Sequence, residues 1–185
     1  MRGLFLTFEG GDGSGKSTQA ALLEEHLVGI GREVVRTREP GGTDLGVELR
    51  EIVLHRRGEM EPRAEALIYA ADRAHHIATL VRPALERGAI VLQDRYLDSS
   101  VAYQGAGRVL DATEIRDLSL WATGGLLPDV TVLLEAEASD FHARVRSAYL
   151  DLAAAEPERF LVLDGSRPVD ELAAAIRDRV SDLLD

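Results

Sequence analysis

The stretch FEGGDGSGKSTQ (residues 8–19) decides the fold of this chain. Residues 10–17 fill the pattern G-x-x-x-x-G-K-[ST] completely, between an apolar run, LFLTFE (4–9), and a helical pattern from about Gly15 to Gly29. A strand, a glycine loop and a helix in that order make a phosphate-binding loop. The glycines let backbone N–H groups turn inward around phosphate oxygens, and the helix N-terminus adds its partial positive charge. Lys16 is the only lysine among 21 Lys and Arg residues. A compact ammonium on a flexible stem reaches β- and γ-phosphates in a narrow loop, where a planar guanidinium is bulkier. Gly10, Gly11, Asp12, Gly13, Ser14, Gly15, Lys16, Ser17 and Thr18 are the expected nucleoside triphosphate contacts, with Ser17 able to ligate Mg2+.

Working outward, short apolar runs alternate with longer helical stretches. EVVRT (33–37), AIVLQD (89–94), DVTVLL (129–134) and RFLVLD (159–164) read as further strands. Helical patterns fill 47–55, 61–87, 112–122, about 138–155 and 169–184. Strands alternating with helices predict right-handed crossovers and a five-stranded parallel sheet with helices on both faces, a three-layer α/β fold. Ligands then sit beyond the carboxyl ends of the strands.

A chain of 185 residues reads as one domain, since domains usually run about 100–200 residues. A formal charge of −11 argues against a nucleic-acid polymer as partner, because backbone binding needs a basic surface. It leaves room for a small phosphorylated ligand held by a few arginines in one cleft. There is no cysteine and hence no thiolate metal site. No run approaches the ~20 apolar residues of a membrane span, so the expectation is a cytoplasmic enzyme.

The loop alone leaves open what is done with the triphosphate. Guanine-specific switches use an Asn-Lys-x-Asp clamp, which a chain with Lys16 as its sole lysine cannot form. No signature of a mechanical ATPase is visible. Transfer to a small acceptor remains, and basic residues at other strand ends fit it. Asp94 and Arg95 follow the third strand directly, an acid to hold Mg2+ or its water and a fork to clamp an acceptor phosphate. As a bare ion pair they would carry no function. Tyr69 and Arg73 stand at i and i+4 on one helix face, a ring to stack on a planar base and donors to read its edge. Taken alone, Tyr69 is more often a core or interface aromatic, and Arg73 could pair with Glu65 or Asp72.

Together the stretches FEGGDGSGKSTQ (8–19), TREPGGT (37–43), YAADR (69–73), DRYLDSSVAYQGAGR (94–108), LPDVTVLL (127–134) and SDFHARVRSAYLDLAAAEPERFLVLDG (139–165) resemble bacterial thymidylate kinase, a nucleoside monophosphate kinase family, over nearly the whole chain. The resemblance implies transfer of the γ-phosphate of ATP to dTMP, with Mg2+, by a cytoplasmic homodimer. It implies that Asp12 bonds the acceptor 3′-hydroxyl, Tyr69 stacks on thymine and Arg73 reads its O4. Arg95 would bind the 5′-phosphate with Arg50 as a second candidate, Tyr103 would pack on the deoxyribose, and Ser100 would approach the base. Glu39 and Pro40 stand in the acceptor-side loop, with a cis bond expected between them. Lys16, Asp12 and Arg95 are the catalytic candidates, and Ser17 and Asp94 the metal candidates. Ser166 and Arg167 are weak candidates for the adenine side.

The likeness breaks after the fourth strand. There the family carries an arginine-bearing lid over the ATP phosphates, whereas Leu134 runs straight into EAEASDFHARVR. The expected join lies near Leu134–Glu135, and the family's lid arginine has no counterpart in this sequence. An intact mass well above 20.1 kDa would mean an omitted lid, and one at 20.1 kDa a real deletion. Arg144 and Arg146 follow the join and read equally as solvated helix charges. Adjacent His75 and His76 diverge by about 100° on a helix and make a poor metal pair, which suggests surface or acceptor-rim positions. Arg56 and Arg57 read as a solvated helix end, and Trp121 as core or dimer face. Two other readings stand beside the kinase: a deoxynucleoside kinase, whose acceptor brings no phosphate, and a module that binds both nucleotides without turnover.

Overall fold

β1 (Leu4–Gly10) is buried along its whole length, so both of its faces need cover. It lies at the centre of a five-stranded sheet ordered β2-β3-β1-β4-β5. The partners are β2 (Val34–Arg38), β3 (Ile90–Asp94), β4 (Val130–Glu135) and β5 (Phe160–Asp164), and every pairing is parallel. The computed structural model describes residues 3–55, 58–106, 110–135 and 140–184.

Alternation along β1 sorts the helices onto two layers. Leu4, Leu6 and Phe8 face Leu23 and Leu27 of α1 (Lys16–Gly29) and Leu172, Ile176 and Val180 of α8 (Val169–Ser181). Phe5 faces the other way, toward Ile77, Val81, Tyr96 and Leu97. Each large apolar side chain buried this way contributes about 1.5–3 kcal/mol relative to exposure. The second layer holds α2 (Asp44–His55), α3 (Pro62–His76), α4 (Arg82–Glu86), α5 (Leu97–Ser100), α6 (Ala112–Thr123) and α7 (Asp140–Ala155).

Two stretches differ from the sequence reading. The helical run 61–87 is not uniform: α3 passes through a π turn at Ile77–Val81 before α4. Pro83 is the physical reason, since it lacks an N–H and its ring crowds the carbonyl four residues back; a wider turn relieves both. The segment after β3, left without structure by periodicity, forms α5 and a second π turn at Val101–Ala106. Trp121 is 81 % exposed, which excludes the core.

The parallel register brings Arg38 and Asp94 level on neighbouring strands and sets Gly10 beside Leu134. Gly10 is required there: its φ is 131°, and a Cβ would lie 2.2 Å from the Leu134 carbonyl oxygen. The loop that follows Gly10 therefore opens at the carboxyl edge of the sheet, next to the ends of β2, β3 and β4.

Candidate active site

The glycine loop turns Lys16 back on itself. Its ammonium donates to the carbonyls of Gly10 (3.1 Å) and Gly11 (2.7 Å), and the side chain is largely buried. Burial lowers its pKa from the ordinary value and Arg95 adds to that, against the pull of Asp94, Glu9 and Asp12. Gly15, at φ 92°, caps α1 and aims the helix N-terminus into the loop. A cavity of about 410 Å3 opens here, lined by Gly13, Gly15, Lys16, Ser17 and Thr18 from the loop and by Asp94, Arg95, Arg50 and Arg38 from across it. Ser14 Oγ and Asp94 Oδ1 are buried and have no hydrogen-bond partner among the described residues. An orphaned carboxylate oxygen on one wall of the cavity and the Ser17 hydroxyl on another offer hard oxygen donors of the kind that fit Mg2+. Among the described residues no group of three or more His, Cys, Asp or Glu is placed to hold a metal ion.

A second cavity, of about 310 Å3, adjoins the first and shares Asp12, Glu39, Arg50 and Arg95 with it. It gathers every acceptor-side residue named from sequence: Asp12, Glu39, Pro40, Arg50, Tyr69, Arg73, Arg95, Ser100 and Tyr103. The Glu39–Pro40 bond is cis, as expected. The Arg50 guanidinium donates to the Pro40 carbonyl at 2.9 Å.

At the inner end of this cavity Arg73 is 2 % exposed. Its partner is neither Glu65 nor Asp72 but Glu39, 34 positions away, at 2.7 Å. It also donates to Ser119 Oγ, the Tyr96 carbonyl and Ser100 Oγ, so four bonds leave one of its five N–H groups for a ligand. Burial works against its charge, and Glu39 more than offsets this, holding the pKa above the ordinary arginine value. His76 lies at neither the surface nor the rim. It is fully buried, with Nδ1 2.9 Å from Glu39 and Nε2 2.7 Å from Thr37 Oγ1, because the Glu39 carboxylate needs a second polar neighbour inside the core.

At the outer end Arg95 has φ 65°, the only positive value among the described non-glycine residues. The ion pair is not with Asp94: Arg95 Nη2 donates to Asp12 at 2.7 Å and Nη1 to Ser99 Oγ at 3.2 Å. Its guanidinium lies 5.3 Å from the centre of the Tyr103 ring. Arg95 and Arg50 thus put positive charge where the two cavities meet, opposite Tyr69, Arg73 and Ser100.

Several residues of the site escaped the sequence reading. Arg38, at the end of β2, lines the phosphate cavity, and Ser99, Tyr96 and Gln104 line the other. Glu9 is fully buried beneath Arg95, and burial together with Asp98 pushes its carboxyl up to about 7. Arg38, Ser99 and Glu9 all lay inside quoted stretches but were unread, and the place of Glu9 beneath Arg95 shows only through contacts distant in sequence. Ser166 and Arg167 line neither cavity: Ser166 bonds Asp164 and Arg167 pairs with Glu171 at 2.7 Å. Arg146 pairs with Glu135 at 2.8 Å. Arg56, Arg57 and Arg108 lie outside the described residues.

A phosphate-binding loop at the edge of a five-stranded parallel sheet, opening onto a second arginine-lined cavity, defines a P-loop nucleotide phosphotransferase. The thymidylate kinase family model matches residues 8–139, and the chain belongs to that family. A thymidylate kinase of Leifsonia xyli is 70 % identical over 199 positions, covering 96 % of this chain and 94 % of that one. That of Clavibacter michiganensis is 65 % identical over 205 positions, covering 100 % and 97 %. The solved thymidylate kinase of Ehrlichia chaffeensis superposes with a TM-score of 0.91 at 33 % identity, covering 97 % of this chain and all of that one. The Clavibacter pairing spans 205 positions against the 185 residues here, so about 20 positions of that relative face no residue of this chain.

Proposed function

We propose that this chain transfers the γ-phosphate of ATP to dTMP, giving ADP and dTDP, from a single domain spanning residues 1–185. The observation that carries the reading is the pair of adjoining cavities, one built on the glycine loop and the other lined by a ring, a buried guanidinium and two further arginines. ATP phosphates lie against the loop N–H groups of Gly10–Thr18 and the Lys16 ammonium. Thymine lies between Tyr69 and the free N–H of Arg73, near Ser100, with deoxyribose against Tyr103 and its 3′-hydroxyl on Asp12. Arg95 and Arg50 take the 5′-phosphate and turn its oxygen toward the γ-phosphorus for in-line attack. Lys16 and Arg95 then face the charge that gathers on the moving phosphoryl group. Ser17 and Asp94 would hold Mg2+, which when bound neutralises phosphate charge.

The 20 unmatched positions belong, on this reading, near Leu134–Glu135, where the family's lid begins. Support comes from the family match, which ends at Ser139, and from α7, which starts at Asp140 within five residues of the end of β4. A lidless donor site lacks the family's lid arginine and is slow. This favours one second reading, a protein that binds both nucleotides with little turnover. The apolar side chains exposed on α2, α3 and α6 (Leu45, Val47, Ile52, Leu54, Leu67 and Trp121) support a homodimer. No helix among the described residues is long and apolar enough to cross a membrane, which accords with a cytoplasmic enzyme.

The test is ADP release from ATP and Mg2+ with dTMP, thymidine, dCMP, UMP or AMP. Turnover with dTMP well above the others supports the reading, and turnover with thymidine instead moves the acceptor phosphate off Arg95. Tight binding of ATP and dTMP with no ADP formed makes the protein a binder.

A further inference from the structure

We propose that Glu9 and Tyr149 are positioning residues that hold Arg95 in its phosphate-clamping geometry, tying helix α7 to the acceptor site. The inference rests on the reading of Arg95 as the acceptor-phosphate clamp.

Glu9 lies on the face of β1 opposite the Leu6–Phe8 core, on the side of α5 and α7. It is completely buried, and three donors converge on its carboxylate. The Tyr96 N–H donates to Oε1 at 2.7 Å, while Ser99 Oγ (2.5 Å) and the Tyr149 hydroxyl (2.9 Å) donate to Oε2. The two hydroxyls lie 2.9 Å apart. With its proton committed to Glu9, Ser99 Oγ presents a lone pair, and Arg95 Nη1 donates to it at 3.2 Å. Glu9 therefore orients the hydroxyl that orients the guanidinium. Its bond to the Tyr96 N–H also pins the backbone just after Arg95, whose left-handed φ needs such restraint.

Tyr149 supports the clamp a second way. Its ring meets that of Tyr103 edge to face, centroids 6.4 Å apart, and Tyr103 lies beneath the Arg95 guanidinium. Tyr149 sits on α7, the helix that follows the sequence break, and buries its hydroxyl 140 positions from Glu9. An ordinary core aromatic would need no carboxylate, and a buried carboxylate is costly unless its bonds do something for the fold or the site. Of the three donors to Glu9, Ser99 takes a bond from Arg95 and Tyr96 is the chain neighbour of Arg95, so the network is built around the residue that meets the substrate phosphate.

The experiment compares dTMP with thymidine binding by calorimetry for the intact chain and for Arg95→Met, Glu9→Gln, Tyr149→Phe and the double variant Glu9→Gln/Arg95→Met. Arg95→Met is expected to abolish the preference for the phosphorylated ligand. Glu9→Gln and Tyr149→Phe are each expected to reduce that preference about tenfold, the lower end of what bonds to charged groups supply, with thymidine affinity unchanged. The double variant should then match Arg95→Met alone. Retention of the full dTMP preference in both Glu9→Gln and Tyr149→Phe, while Arg95→Met loses it, overturns the inference. Equal losses for dTMP and thymidine in those two variants also overturn it, since they mark a purely structural role. An unchanged preference in Arg95→Met removes the underlying reading, and the inference with it.

Discussion

Replacing Arg73 by methionine tests the buried charge network at the inner end of the second cavity. The guanidinium is 2 % exposed and makes four hydrogen bonds, one of them the 2.7 Å ion pair with Glu39. Methionine keeps most of the volume and removes every donor. Glu39, itself 4 % exposed, is left with His76 as its remaining ring partner, and Ser119 Oγ, Ser100 Oγ and the Tyr96 carbonyl each lose a bond. Breaking a buried pair on one side costs about 3–5 kcal/mol, a large part of the roughly 5–15 kcal/mol that holds a native protein together. With a urea m-value of about 3 kcal/mol/M for a chain of this size, the unfolding midpoint should fall by roughly 1–1.7 M. The double variant Arg73→Met/Glu39→Gln removes the stranded charge and should recover at least half of that loss. Urea unfolding followed by circular dichroism reads both, and dTMP calorimetry should show binding lost in each. A midpoint shift under about 0.3 M for Arg73→Met, or a double variant as unstable as the two single losses added together, would refute the account of a charge-compensated buried pair.

Lys16→Met should lower kcat by about 10^2–10^3, the usual cost of one removed transition-state donor, while leaving the circular dichroism spectrum intact. Inserting a relative's lid segment at Leu134–Glu135 should raise kcat by about 10^3, the low end of what a supplied arginine contributes; an unchanged kcat would place the missing positions elsewhere. The folded state holds the Glu9 proton up to about 7, against 4.5 for an ordinary glutamate, so Glu9 stabilises fully below 4.5 and that contribution fades as pH rises through 7. Thermal melts from pH 4.5 to 8 should therefore show the intact chain losing ground steadily to Glu9→Gln; a constant difference would contradict it. Trp121→Glu should convert a dimer to monomer in sedimentation, given a ring that is 81 % exposed.

Local pattern carried the sheet and the glycine loop into view, because strands buried on both faces read as apolar runs and the loop needs fixed residues at fixed spacing. Part of the candidate acceptor side was legible for a similar reason: Tyr69 and Arg73 share a helix face, and Asp94 and Arg95 stand at a strand end, whereas Glu39, Pro40, Arg50, Ser100 and Tyr103 came into view only through the family resemblance. What stayed hidden depends on contacts between distant segments. Glu39 meets Arg73 and His76 across 34 and 37 positions, so a histidine that looks polar in sequence is core in space. Glu9 and Tyr149 meet across 140. The helical turns after β3 were illegible because one runs four residues and the other, π-wound, six, too short to show the 3.6-residue repeat that marks an amphipathic helix.

The solitary lysine has a use at the bench. An amine-acylating reagent meets one ε-amino group in the whole chain, and that group is 7 % exposed in the floor of the glycine loop. Its lowered pKa enlarges the neutral, nucleophilic fraction at a given pH. The arginine surface offers such a reagent nothing. Acylation at Lys16, counted as a single added group by peptide mass, would thus register open loops, and protection from it would register loops covered by nucleotide. The chain carries its own occupancy gauge, with no tag or dye to be introduced.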